Sequence, residues 1–305
     1  MKKTFLFLAF ACVAMLFSSC HKEGVFNPKK KISKIYTYDT YTVNGTTTTT
    51  DKTLSEVWTW NKNILEKIDH YGSNNEITGT TTYTYDKKRV VRIDESYHSM
   101  FSNYSSRTEF IYDGKYLSEA KIYDGNELEA TLKFTHQNGK ISQIVFTGEV
   151  VPEENGKSLR TRALQHILPP QICKTLQQIE KKKQTKNAGK GSETTTITLT
   201  WNKDNITKLA CVDEFYGERQ EYSMEAEYDN YNNPFYGLFD TEMSFGGGNL
   251  CKNNIVKQTW VFPYEGDHDT DTYQYTYEGK YPVSCTHTDP FYDDTHTSTT
   301  EYEYK

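Results

Sequence analysis

The stretch Thr81-Thr82-Tyr83-Thr84-Tyr85-Asp86-Lys87-Lys88-Arg89-Val90-Val91-Arg92-Ile93-Asp94 decides the fold. Tyr83 and Tyr85 alternate with Thr82 and Thr84, so the aromatics share one face of a strand and the threonines the other. Tyr and Thr both suit a pleated surface. Asp86 to Arg89 is a polar turn, and Val90, Val91 and Ile93 restart an apolar run. No helical period fits. The stretch reads as strand, tight turn, strand.

Versions of this hairpin recur along the chain. Copies run through Trp58-Thr59-Trp60-Asn61-Lys62-Asn63-Ile64, Phe110-Ile111-Tyr112-Asp113-Gly114-Lys115-Tyr116-Leu117 and Phe134-Thr135-His136-Gln137-Asn138-Gly139-Lys140-Ile141. Others are Leu199-Thr200-Trp201-Asn202-Lys203-Asp204-Asn205-Ile206, Tyr228-Asp229-Asn230, Tyr275-Thr276-Tyr277-Glu278-Gly279-Lys280-Tyr281 and the terminal Tyr302-Glu303-Tyr304. The interval between Tyr228 and Tyr277 is filled by a degenerate copy around Asn253 to Trp260. Repeats of two dozen or so residues imply an array of like units. Consecutive hairpins make an antiparallel meander. Roughly 16 to 18 strands exceed what an open twisted sheet holds before curling. The expected fold is all-β, a wide barrel or a curved half-barrel. One interval breaks the pattern. Over about Pro152–Ser192, Leu159, Ala163, Leu164, Ile167 and Leu168 are spaced for one helical face, and Pro169-Pro170 ends it. A short helical insertion is expected there, with a basic loop from Lys181 to Lys190.

Hydrophobic content is low at 35%, yet the chain has 24 Tyr and 15 Phe, which a disordered chain would lack. The core is therefore aromatic. Net charge is −6 with signs interspersed, which argues against a nucleic-acid partner. A lipid-facing barrel needs an outward apolar band on its strands. Here the alternate positions are Thr, Glu, Lys and Ser, so a soluble barrel is expected.

The beginning of the chain reads as an export signal. Lys2 and Lys3 precede an apolar run from Phe5 to Phe17, then Leu16-Phe17-Ser18-Ser19-Cys20 resembles a bacterial lipobox. On that resemblance residues 1–19 are a signal peptide, Cys20 is lipidated, 20–31 form a tether and 32–305 form one β-repeat domain. No Asp follows Cys20, which favours the outer membrane, on its periplasmic face or at the cell surface. Cys173, Cys211, Cys251 and Cys285 allow three pairings in an oxidising compartment. They form no CxxC pair, and the reading adopted is that all four stay free.

In the last third, Tyr228-Asp229-Asn230, Asn233-Pro234-Phe235-Tyr236, Asn253-Asn254-Ile255-Val256-Lys257 and Tyr275 to Val283, with the Cys20 motif, carry a resemblance. The chain resembles a family of Bacteroidetes outer-membrane lipoproteins of unknown function with a porin-like β fold, and its hairpins resemble YD repeats, including those of Rhs-type proteins. The resemblance implies an envelope location and a porin-like barrel. It brings no catalytic residues.

Residues that might carry chemistry are few. Asp267, Asp269 and Asp271 alternate as at the start of a calcium loop, without its central Gly or closing Glu. A solvated hairpin tip is the ordinary reading, and no metal or cofactor is assigned. Asp289, Asp293, Asp294 and His296 make a second acidic loop with the same reading. His70, His98 and His287 stand in no fixed pattern with a nucleophile, and no nucleophile elbow occurs. The chain is read as a non-enzyme. Trp58, Trp60, Trp201 and Trp260 suit either sugar stacking or a cross-strand core ladder. The leading expectation is a lipid-anchored binding or scaffold protein with a glycan or other envelope component as partner. The alternative is a carrier of an apolar molecule on the concave side of the sheet, and a hydrolase stands third.

Overall fold

The computed structural model describes residues 23–98, 103–150, 191–215, 218–239, 250–262, 267–289 and 295–305. Seventeen strands follow one another. They are β1 (Ile32–Val43), β2 (Thr46–Thr49), β3 (Thr53–Asn61), β4 (Ile64–Tyr71), β5 (Ile77–Asp86), β6 (Arg89–His98), β7 (Asn103–Asp113), β8 (Tyr116–Asp124) and β9 (Glu127–Gln137). The series continues with β10 (Lys140–Val150), β11 (Gly191–Asn202), β12 (Asn205–Phe215), β13 (Glu218–Tyr228), β14 (Ile255–Phe262), β15 (Asp267–Glu278), β16 (Tyr281–Asp289) and β17 (Thr295–Tyr304). β2 and β3 both pair antiparallel with β1, each later strand pairs antiparallel with the one before it, and β1 pairs with β17, so the sheet closes on itself. The closed form, not the half-barrel, is the one this sequence adopts. β2 and β3 lie end to end beside β1, so the 17 strands make a barrel of 16 staves. Gly191 and Ser192 begin β11, and the rest of the expected helical insertion lies outside the described residues.

The quoted hairpin is β5–β6, and its geometry is the repeat. Asp86 pairs with Arg89 across a two-residue loop, and the register slips between Thr84 and Tyr85. The same loop and the same slip occur in β3–β4, β7–β8, β11–β12 and β15–β16. The first loop residue is left-handed each time: Lys62, Lys87, Gly114, Lys203 and Gly279 have φ from 53° to 63°. A bulge beside a tight loop adds twist, which a closing sheet needs. The expected degenerate copy around Asn253 is a correction: β14 is the second strand of the Tyr228 copy, whose turn has grown into the connection 229–254.

The repeated aromatic has a structural task. Tyr85 donates its hydroxyl to the Leu65 carbonyl at 2.7 Å, Tyr112 to Val90 at 2.6 Å, Tyr228 to Ile206 at 2.6 Å and Tyr304 to Pro282 at 2.6 Å. Trp60 and Trp201 donate their indole N–H to Ile32 and Ile141, both at 2.7 Å. In five of these six the acceptor is the second residue after the preceding short turn; for Trp60 it is Ile32, where β1 begins. Each aromatic thus latches one hairpin to the one before.

Burial alternates along the staves. Ile35, Ile68, Ile93, Leu132, Ile144 and Ile197 are buried and belong to one continuous apolar cluster. The other face carries ion pairs such as Lys34–Glu303, Lys52–Glu301, Arg92–Asp94, Arg107–Glu109, Lys208–Glu225 and Lys257–Glu227. Such exposed pairs add little stability, at most about 1 kcal/mol each. They do fix which face meets water. The outer face is charged, unlike a wall that faces hydrocarbon. No described helix is long and apolar enough to cross a membrane.

A round barrel of this size has a backbone diameter near about 30 Å, wider than two facing layers of side chains fill. The space at the short-turn end is taken up by chain. Residues 229–239 of the connection between β13 and β14 turn inward there. Its Phe235 packs on Trp58 and Tyr302 and its Phe239 on Phe110, so it reaches walls well away from its own strands. Phe235, Leu238 and Phe239 are buried, each contributing about 2 kcal/mol. This filled end weighs against the carrier expectation.

Candidate functional site: the short-turn end and the N-terminal clamp

From β3 onward, the turns that join an odd-numbered strand to the next even one all lie at one end of the barrel, and the chain enters there. Residues from Glu23 onward pack on the barrel, although the stretch to Lys31 reads as a tether in the sequence. Glu23 accepts the Leu117 amide and faces His136 at 3.0 Å. His136 stands where other repeats have the latching Tyr or Trp, and Leu117 is its repeat's acceptor residue. The Glu23 carboxylate therefore inserts itself into a latch. One repeat earlier, the Val90 amide donates to the Gly24 carbonyl at 2.9 Å. Gly24 lies against the Tyr112 ring with φ of 76°, where a Cβ would collide with the phenol. Phe26 is buried beside Trp60, 5.6 Å between centroids. Lys31 reaches the Lys62 carbonyl and Asn63. Nothing in the local sequence 23–31 announces this, because its partners lie as far as 113 residues away.

Burial shapes the titration of this end. It raises the Tyr112, Tyr228 and Tyr304 hydroxyls above the usual tyrosine range. It also pushes the Cys251 thiol up to about 11, against the lowering effect of its bond to Tyr228. Cys285 rises to about 12 for the same first reason. Cys211, Cys251 and Cys285 are buried thiols outside any disulfide, in line with the sequence reading for those three, and Cys173 lies outside the described residues.

Away from this end the interior carries polar side chains. On one wall Glu56 accepts the Trp58 indole N–H at 2.7 Å, His70 bonds Thr81 at 2.9 Å, and Ser106 donates to Glu95 at 2.7 Å. On another, Asp271 bonds His287 at 2.9 Å and accepts from Gln258 at 2.6 Å, and Thr195 donates to Asp213 at 2.9 Å. All are buried. Paired in this way, the groups specify how the staves meet.

The remaining candidates fall as follows. Cys20 lies outside the described residues. Asp267 closes the β14–β15 connection opposite Phe262, while Asp269, paired with Trp260, and Asp271, paired with Gln258, lie within the ladder and not at the tip. The side chains of Asp267 and Asp269 lie outside the described residues, while that of Asp271 is buried in the network above. Among the described residues no group of three or more His, Cys, Asp and Glu is placed to hold a metal ion. Asp289 pairs with His296 at the ends of β16 and β17, and His296 stacks on Tyr41 at 4.5 Å. Asp293 and Asp294 lie outside the described residues, as do Lys181 to Lys190, and His98 is exposed. Trp58 and Trp260 are buried, and Trp60 and Trp201 lie beneath Lys31 and Lys140. The tryptophans are core and latch, not a sugar-stacking platform. On the outer wall a groove of about 340 Å³ is lined by Thr80, Thr82, Arg92, Asp94, Ser105 and Arg107 among others.

No family model matches the chain, and no curated protein sequence matches it. Among solved structures it is similar to a porin-like protein from Bacteroides uniformis ATCC 8492, with 14% identity over 93% of this chain and 100% of that one, at a TM-score of 0.49. It is also similar to a porin-like protein from Bacteroides vulgatus ATCC 8482, with 9% identity over 91% of this chain and 99% of that one, at a TM-score of 0.46.

Proposed function

We propose that the protein is a non-enzymatic component of the cell envelope, held at the outer membrane by acylation of Cys20, with its barrel standing in water. One observation carries the reading. The outward face of the staves is laced with lysine–carboxylate and arginine–carboxylate pairs, so the wall is built for solvent and attachment must come from elsewhere. Cys20 supplies that attachment, since a multiply acylated cysteine anchors firmly where one chain would not. The barrel then serves as a binding or scaffold module. The outer-wall groove, lined by hydroxyl, guanidinium and carboxylate groups, suits a polyhydroxylated ligand such as an envelope glycan.

The test is fractionation of cells making the wild-type chain or Cys20→Ala, with labelled fatty acid. The wild type is expected to take up label and sediment with outer membrane, and the variant to be unlabelled and released as a folded barrel. A variant that stays integral to the membrane would mean that the wall itself is embedded. Glycan binding by the released barrel is expected to fall at least tenfold in Arg107→Ala; unchanged binding removes the groove from the reading.

A further inference from the structure

The chain is acidic overall, with a net charge of −6, but its charge is not evenly placed. Every connection at the short-turn end except Asn138-Gly139 carries lysine, and Lys140 directly follows that one. Lys62, Lys115, Lys203 and Lys280 stand in four of them, Lys87-Lys88 in a fifth and Lys252 in the long one. Lys29 and Lys305 flank the point where the chain enters and leaves. Of the acids at this end, Asp86 and Asp113 stand exposed directly before the turns Lys87-Lys88 and Gly114-Lys115, and four others are occupied. Glu23 is held by His136 and Leu117, Asp204 lies between Lys140 and Lys252, Asp229 is bound by Asn254 and Tyr277, and Glu278 by Lys30. Lys29, Lys62, Lys87, Lys88, Lys203 and Lys305 are exposed and have no acidic partner among the described residues. At the opposite end the described short connections, Asn44-Gly45, 72–76 and Gly125-Asn126, hold no lysine.

The turns themselves do not require these lysines. Lys62, Lys87 and Lys203 occupy the left-handed position, which Gly114 and Gly279 fill in sister turns and Asn138 in another. A glycine or asparagine sits there with less strain than lysine. The side chain kept in spite of the backbone is a cation at the rim. The same end receives the N-terminal segment. Glu23 is clamped to it three residues after Cys20, a reach of about 10 Å.

We propose that the short-turn end is a docking face for the phosphate headgroups of an anionic phospholipid bilayer, holding the barrel upright with its other end turned away. The inference rests on the anchored reading for its orientation, while the lysine ring is independent of it. Basic clusters beside a lipid anchor are attracted to anionic headgroups within a Debye length of the surface.

The mature chain carrying Cys20→Ala is mixed with vesicles of phosphatidylcholine alone or with phosphatidylglycerol, and bound protein is measured by sedimentation. Binding is expected on the anionic vesicles only, and 0.5 M salt, on the order of full screening, should release it. The variant K62N/K87N/K88N/K203N places asparagine where the backbone tolerates it and should bind at least about 100-fold more weakly. Its circular dichroism reports folding, and K115N/K280N, at positions free of that backbone constraint, should show a smaller loss in the same direction. Equal binding to neutral vesicles, no binding to anionic ones at low salt, undiminished binding by the folded variants, or capture by an acidic polysaccharide in preference to vesicles would each overturn the proposal. Because no acyl chain is present, failure here is separate from failure of Cys20 acylation.

Discussion

The Tyr112 hydroxyl donates to the Val90 carbonyl, and Gly24 lies over the same ring. A tyrosine at a strand end would ordinarily be read as amphipathic surface. Here its ring is core and its hydroxyl is a tie to the preceding repeat. Tyr112→Phe removes that donor and leaves a carbonyl short of a partner. A loss of about 1–2 kcal/mol in chemical denaturation is expected at neutral pH. The sign of the pH dependence follows from burial. The folded-state pKa is raised, so the stabilisation is fully present below the ordinary tyrosine value near 10 and is lost as pH rises beyond it. The gap between wild type and Tyr112→Phe should therefore narrow above pH 10, and a gap that widened would show that the hydroxyl is not held neutral. The alternation of Tyr83 and Tyr85 predicts the strand and its faces. It does not predict the hydroxyl's acceptor, Leu65 for Tyr85, because that residue belongs to another hairpin.

At the scale of elements, the repeat was readable because its turn, its slip and its aromatic recur at fixed spacing. All eight aromatic strand ends named from the sequence precede a short-turn-end connection or end at the barrel's seam. Asp269 and Asp271 were misread as part of a tip because polar alternation looks the same in a loop and in a strand. Only the ladder with β14 distinguishes them. The N-terminal segment was misread for a different reason. Pro28 and the three lysines have the composition of a linker, while the contacts that fix it are made by Glu23, Gly24 and Phe26. Gly24→Ala tests this clamp. It adds a Cβ against Tyr112 and Arg89 at a left-handed φ, and should destabilise by about 2 kcal/mol or more. Amide exchange at Leu117 and Val90 should quicken in the variant before the rest of β6 to β8 is affected. Unchanged protection at those two amides would mean that the segment does not depend on Gly24.

At the scale of the whole molecule, the polarity of the wall is legible in the sequence. Thr, Lys and Glu at alternate positions leave no apolar band, and the ion pairs confirm which face they occupy. Closure was not readable, since an open and a closed meander share one local pattern. The seam joins β1 to β17, and Ser33 and Glu303, which bond across it, are 270 positions apart. The eighth hairpin is thus split between the two extremities of the described chain, with the Lys305 amide bonded to the Lys31 carbonyl in place of a turn. This has a kinetic consequence. Six hairpins can form across two-residue turns and a seventh across the 229–254 connection, but the ring cannot shut until its two most distant strands find each other. Until then β1 and β17 are exposed edges, open to pairing with another chain. In pulse-labelled refolding, amides of β5–β6 should gain protection early and those shared by β1 and β17 last and together. Early protection at the seam would contradict this order. The same ring that hides every edge in the finished barrel makes its last step a search across nearly the full length of the chain, and a newly made copy needs protection from its neighbours until that step is done.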